Sequence, residues 1–232
     1  MRARSRRSPA GLARRRSRLY RFLARAFAPP TPRAVRELAH DGAVRAAGPL
    51  LGVARVPALD AAFATLAARV ARWERQPPAR VARALGGTYQ RLFVGPYHLP
   101  APPYESCYRS PDGRVMGEAA VAVGQDYAEA GFALAPEVHD LPDHIALELM
   151  FLGLLAREEA ALWHGGDRDA LAACLRREEG FLVEHLGRWA GALAERVRRA
   201  SPSAFYRALA AATAAYVAAD LTLVGALREA VP

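Results

Sequence analysis

The sequence predicts an all-α protein: a single-domain helical bundle of about eight helices with a proline-rich loop near the middle. Three observations predict it. Apolar residues, 52% of the 232, recur in steps of three and four, the spacing of one helical face. Ala, Leu and Arg dominate and β-branched residues are few, which favours helix. Prolines and glycines fall between these stretches, while the alternating runs and tight hairpins that mark strands are absent.

The first helix is expected over about 11–28, stopped by Pro29-Pro30. It places Leu19, Phe22, Leu23, Ala26 and Phe27 on one face and Arg18, Arg21 and Arg25 on the other. Thr31 is an N-cap with Pro32 at the first helical position, opening a second helix to about 47. Gly48-Pro49 and Pro57 separate this from a third, about 58–75, and Pro77-Pro78 ends that one. A fourth, about 79–94, carries Leu85, Tyr89, Leu92 and Phe93 on one face. Residues 95–114 hold five prolines and no glycine from 96 to 112, so a stiff, non-helical loop is expected. A fifth helix follows over about 115–131, a sixth over about 142–164 ending at Gly165-Gly166, and a seventh over about 167–199, bent near Gly180 or Gly187. Ser201-Pro202 opens the eighth, about 202–229. Residues 1–10 read as a disordered basic tail and 11–232 as the helical domain.

All 32 basic residues are Arg, with no Lys, no Asn and one Ile, Ile145, the mark of a GC-rich genome rather than of phosphate recognition. Arg14-Arg15-Arg16-Ser17-Arg18-Leu19 imitates an export signal, but the arginines that interrupt the following residues describe an amphipathic helix instead. No uncharged apolar run of about 18 residues stands out as a membrane span, and stable membrane insertion is not expected. Cys107 and Cys174 are far apart and read as reduced thiols of a cytosolic protein.

The net charge of +9 is segregated. Residues 1–104 hold 20 Arg and 4 acids, 105–148 hold 2 Arg and 9 acids, and 149–232 hold 10 of each. The basic balance raises nucleic acid as a partner, but no nucleic-acid-binding motif accompanies it. The acidic middle instead predicts a site that attracts cations.

That middle contains two blocks. One runs from Tyr89 through Leu92-Phe93-Val94-Gly95-Pro96-Tyr97 to Pro102-Pro103-Tyr104-Glu105-Ser106. The other is Pro142-Asp143-His144 followed by the apolar run Ile145, Leu147, Leu149, with Glu148 inside it. Asp140 and Pro142 fit a helix start, and Glu148 within apolar neighbours is expected to pair with a buried Arg or reach a rim. His139, Asp140, Asp143 and His144 also allow a metal-dependent hydrolase as the alternative reading, with weak ligand spacing. Phosphate-binding glycine loops and nucleophile elbows are absent.

In this order and separation the two blocks resemble the TorD/DmsD family of molybdoenzyme maturation chaperones. The resemblance implies an all-helical cytoplasmic chaperone and not an enzyme. Such a chaperone binds the twin-arginine signal peptide of a molybdenum-cofactor oxidoreductase precursor, and in some members the mature part. It assists cofactor insertion and delays export. It implies no resident cofactor or metal, no nucleic acid, and a monomer or homodimer. The implied pocket positions are Tyr89, Leu92, Tyr97, Pro103, Tyr104, Asp143 and His144, to which Glu105 is added as a neighbouring acid. Glu118, Asp126 and Glu129 are further acids of the negative segment.

Overall fold

The computed structural model describes residues 8–44, 57–95, 99–110 and 113–231, and its described residues are helical, with one isolated β-bridge. Helix α1, Pro9–Phe27, is capped by Ser8, whose hydroxyl accepts from Gly11 N at 3.1 Å. It therefore starts two residues before the expected position, and residues 1–7 of the expected tail lie outside the described residues. Helix α2, Pro32–His40, is capped by Thr31 as expected but ends earlier, at Asp41, which instead accepts from Ala43 N and pairs with Arg25. Helices α3, Pro57–Ala71, and α4, Pro78–Tyr89, follow the proline boundaries. A single-turn 3₁₀ segment, Arg72–Arg75, extends α3.

The proline-rich stretch contains one helical turn, α5, Ser106–Arg109, where none was expected. Its first amide has an acceptor from outside the turn, which the sequence does not reveal. Then come α6, Glu118–Glu129; α7, Ile145–Gly165; α8, Arg168–Phe181; α9, Gly187–Ala200; and α10, Ala204–Glu229. Helices α8 and α9 are the expected single long helix, interrupted by a π turn at Leu182–Leu186. Gly187, one of the two positions where a bend was expected, directly follows the π turn, and a Cβ there would lie 2.3 Å from Leu182 O.

Helices α1 and α7 form the most extensive helix pair. They approach closely because Gly153 has no side chain; a Cβ there would meet Tyr20 Cβ at 3.2 Å, and Ser17 Oγ donates to Gly153 O at 2.6 Å across the contact. Helix α10 packs on α3 and α9. By length and composition α10 matches a membrane span, against the sequence reading, but 56% of its apolar window is buried in the bundle, which makes it a core helix. Tyr20, Phe22, Phe27, Leu149, Leu152, Trp189 and Leu209 anchor the core, each under 3% exposed. Both cysteines are free and buried.

At one end of the α1–α7 pair the core holds charge. Arg16, 1% exposed, donates through Nε to Asp220 Oδ1 at 2.7 Å and through its Nη atoms to Glu159 and Glu178. Tyr20 donates its hydroxyl to Asp220 Oδ2 at 2.7 Å. Burial pushes Glu178 up to about 8 despite the adjacent guanidinium, so one of the three acids holds a proton near neutrality.

Candidate functional site

The two sequence blocks are joined by main-chain hydrogen bonds. Tyr104 and His144 form the antiparallel bridge. Glu105 N donates to Asp143 O at 3.0 Å, and Ile145 N donates to Pro103 O at 2.8 Å. Upstream, Ala101 N donates to Leu92 O at 3.4 Å, tying the loop back to the π turn Gln90–Val94 that ends α4. The proline-rich chain is rigid enough to present this short edge, and the Asp-His turn supplies the complementary one.

Asp143 is fully buried, and its Oδ2 accepts from Ser106 N at 2.9 Å, the amide that opens α5. His144, not Asp140, caps α7: its Nδ1 accepts from Ala146 N at 3.1 Å. Burial lowers the His144 pKa below the ordinary histidine value, which keeps Nδ1 free to accept. Asp140 lies on the exposed side and accepts the Tyr104 hydroxyl at 2.9 Å. Burial, then that carboxylate, raise the Tyr104 phenol well above its ordinary value. The Tyr104 and His144 rings meet edge to face at 5.3 Å.

Beneath the joint, Glu105, Asp143 and Glu148 are all 0% exposed. Glu105 accepts from Arg109 Nη1 at 2.5 Å and meets His185 Nδ1 at 2.9 Å. His185 Nε2 lies 3.2 Å from Asp126 Oδ2. Glu148 accepts from Trp189 Nε1 at 3.1 Å, and burial followed by the nearby Glu105 carboxylate raises its pKa well above the ordinary range. Both effects favour the protonated form of Glu148. The buried Arg expected as its partner serves Glu159, Glu178 and Asp220 instead. Asp143 Oδ1 and Ser106 Oγ, both buried, have no hydrogen-bond partner among the described residues.

His185, bonded to Glu105, also lines a cleft of about 570 Å³ between α6, α8 and the π turn. Its lining includes Arg109, Asp126, Glu129, Arg176, Arg177, Phe181, Glu184 and His185. Burial raises Asp126 above its ordinary value while His185 opposes the shift.

Of the sequence-predicted positions, the structure brings together Pro103, Tyr104, Glu105, Asp143 and His144. Tyr89 and Leu92 sit behind them in the core, Tyr89 against Phe93 at 5.4 Å between ring centroids. Tyr97 lies outside the described residues. Among the acids, Asp126 and Glu129 line the cleft, and Glu118 opens α6 on an exposed face. The hydrolase alternative is not supported: Asp143 is turned to Ser106, His144 Nδ1 is occupied as a cap, and among the described residues no three His, Cys, Asp or Glu side chains converge as metal ligands. Sequence reasoning missed His185 and Trp189. Both lie at core spacing with Phe181, Leu182 and Leu186, which was the available signal.

The helical bundle and the joined blocks define an all-α protein whose proline-rich loop is bonded edge to edge to a helix start. More particularly, the family described as nitrate reductase delta subunit matches residues 56–195, more than half of the chain, and the chain belongs to that family. It is 31% identical over 125 residues to a protein of Haemophilus influenzae named "Probable Tat proofreading chaperone DmsD", covering 54% of each. It is 26% identical over 136 residues to a protein of Vibrio cholerae named "Chaperone protein TorD", covering 59% of this chain and 60% of the relative. The chain spans about half the length of the curated relatives it matches. Its fold is similar to that of a structure described as a redox enzyme maturation protein from Archaeoglobus fulgidus, with a TM-score of 0.50 and 20% identity over 88% of this chain and 93% of that one.

Proposed function

We propose that this protein is a cytoplasmic chaperone that binds the twin-arginine signal peptide of a molybdenum-cofactor oxidoreductase precursor, assisting cofactor insertion and delaying export until it is complete. Its relatives carry the names Tat proofreading chaperone DmsD and chaperone protein TorD. The observation that carries the reading is the joint itself. Two stretches about 40 residues apart are locked edge to edge, directly over three buried carboxylates and beside a cleft lined by acids and arginines alike. A signal peptide of this class presents two guanidinium groups and then an apolar run. Carboxylates beside aromatic walls are the complement of that ligand.

The proposed binding residues are Tyr89, Leu92, Tyr97, Pro103, Tyr104, Glu105, Asp143 and His144. Tyr104 is the one among the described members that reaches the surface, with Asp140 as its partner. The buried members hold the lip in shape. Isothermal titration of the full chain with a twin-arginine signal peptide, beside the same peptide carrying Lys-Lys, tests the reading. Micromolar or tighter binding that requires the arginines is the expected result; equal heats for both peptides refute arginine recognition.

A further inference from the structure

The cleft beside the buried carboxylates has acids on its α6 wall and a pair of arginines on its α8 wall, while Glu184 of its lining is engaged by Arg188 at 3.0 Å. Asp126 and Glu129 lie three residues apart on α6, so they share one face of that helix. Arg176 and Arg177 line the cleft from α8. Apolar lining comes from Ala122 and Phe181. The two charged sets do not neutralise each other. Asp126 is held by His185 at 3.2 Å, and among the described residues Glu129, Arg176 and Arg177 form no ion pair. The third arginine of the lining, Arg109, is already engaged by Glu105 and by the Glu184 carbonyl at 2.8 Å. Opposite charges left unpaired across a partly desolvated opening are complementary to a ligand that carries both signs.

We propose that this cleft is a two-sign subsite for a peptide segment carrying a basic side chain and, a few residues away, an acidic one. The α6 wall takes the base, the α8 wall takes the acid, and Phe181 contacts the chain between them. The inference rests on the reading of the protein as a peptide-binding chaperone. It adds a second requirement to that reading: an arginine-bearing peptide is selected further by an acidic neighbour, which the joint at Tyr104 and Asp143 does not provide for. The carboxylates of the joint are buried, so the exposed charge that sorts clients lies here.

The test is calorimetric titration of the full chain with two synthetic peptides that share an arginine pair and an apolar run and differ in one Glu replaced by Gln. The Glu peptide is expected to bind about fivefold more tightly at low salt, the scale of exposed charge pairs, with the difference shrinking as salt is added. The Arg176→Gln/Arg177→Gln double variant is expected to lose the preference while still requiring the arginines. Arg176→Glu/Arg177→Glu is expected to reverse it toward a peptide with Lys in place of that Glu. Glu129→Gln, an exposed change, should weaken both peptides alike. Equal affinity of the unaltered protein for the two peptides, with arginine dependence intact, overturns the two-sign subsite and leaves the chaperone reading standing. Absence of binding to every peptide overturns both. A preference that survives in the double variant places the acid's partner elsewhere and also overturns the assignment.

Discussion

Two chambers in this molecule each bury three carboxylates, and they are solved differently. Around Arg16 the acids are Glu159, Glu178 and Asp220, and the guanidinium that serves them is itself 1% exposed. Around Glu105 the acids are Glu105, Asp143 and Glu148. The groups that reach Glu105 are the imidazole of His185 and the guanidinium of Arg109, whose side chain is 30% exposed. The first chamber is closed on itself and joins α1, α7, α8 and α10. The second is completed from the cleft side, by groups that also touch solvent. A closed ionic centre fixes how helices pack; an open one leaves part of its electrostatic balance to whatever enters the cleft.

The largest contrast should come from removing each guanidinium. Arg16→Met strands three buried carboxylates and should cost about 3–5 kcal/mol of stability, in the range for breaking a buried pair, as read by urea unfolding. Arg109→Gln removes a half-exposed partner and should cost about 1 kcal/mol or less. Similar losses for the two variants would break the comparison.

Next in size is Asp143→Ala. It leaves Ser106 N buried without its acceptor, a loss of about 1–3 kcal/mol, and removes the side-chain bond between α5 and the turn before α7. Peptide affinity should fall with stability, so Asp143 acts by shaping the lip rather than as an exposed ligand group. A variant of native stability with reduced peptide binding would reverse that assignment.

The pH dependence of the closed chamber has a definite sign. The unfolded chain ionises the Glu178 carboxyl near its ordinary 4.5, whereas the folded protein holds that proton up to about 8. Between these values the folded state binds the extra proton, so stability should fall as pH rises from about 5 to 8. Glu178→Gln should flatten this slope in thermal unfolding followed across that window, and an unchanged slope would move the proton to another group.

The smallest effect is expected from Glu148→Gln. Burial favours the protonated Glu148 carboxyl, and an amide retains an acceptor for Trp189 Nε1. A change within about 0.5 kcal/mol is expected by chemical denaturation. A large loss would mean that Glu148 is ionised in the folded state and that the open chamber carries more charge than its burial allows.

The helices were legible because apolar spacing and proline pairs fix them locally. Pro29-Pro30, Thr31-Pro32 and Pro77-Pro78 mark boundaries found in the structure. The pairing of the two blocks was legible through family resemblance rather than local pattern, since a bridge between Tyr104 and His144 has no signature in either segment. Arg16 was hidden inside Arg14-Arg15-Arg16, a run that imitates an export signal, and nothing in that run sets it apart. Yet it continues the stripe Leu12, Leu19, Tyr20, Leu23, and its partners Glu159, Glu178 and Asp220 likewise fall at core spacing behind Leu155, Cys174 and Tyr216. Charges at core positions on several helices announce one another only when taken together. The burial of Asp143 was illegible for another reason: its acceptor role depends on a one-turn helix that a run of prolines gave no cause to expect.

The π turn at Leu182–Leu186 makes chain length, at one place, a functional quantity. It holds one residue more than α-helical winding, so all that follows is rotated by about 100° relative to an uninterrupted helix. Within that rotated frame His185 reaches Glu105 and Trp189, four residues later, reaches Glu148. Deleting a single residue here would leave the composition almost untouched and the helix more regular. With α8 held in place it would also turn His185 and Trp189 together away from Glu105 and Glu148, since residues four apart share a helix face. Side-chain substitutions in this turn are graded in their effects; a change in its residue count is not.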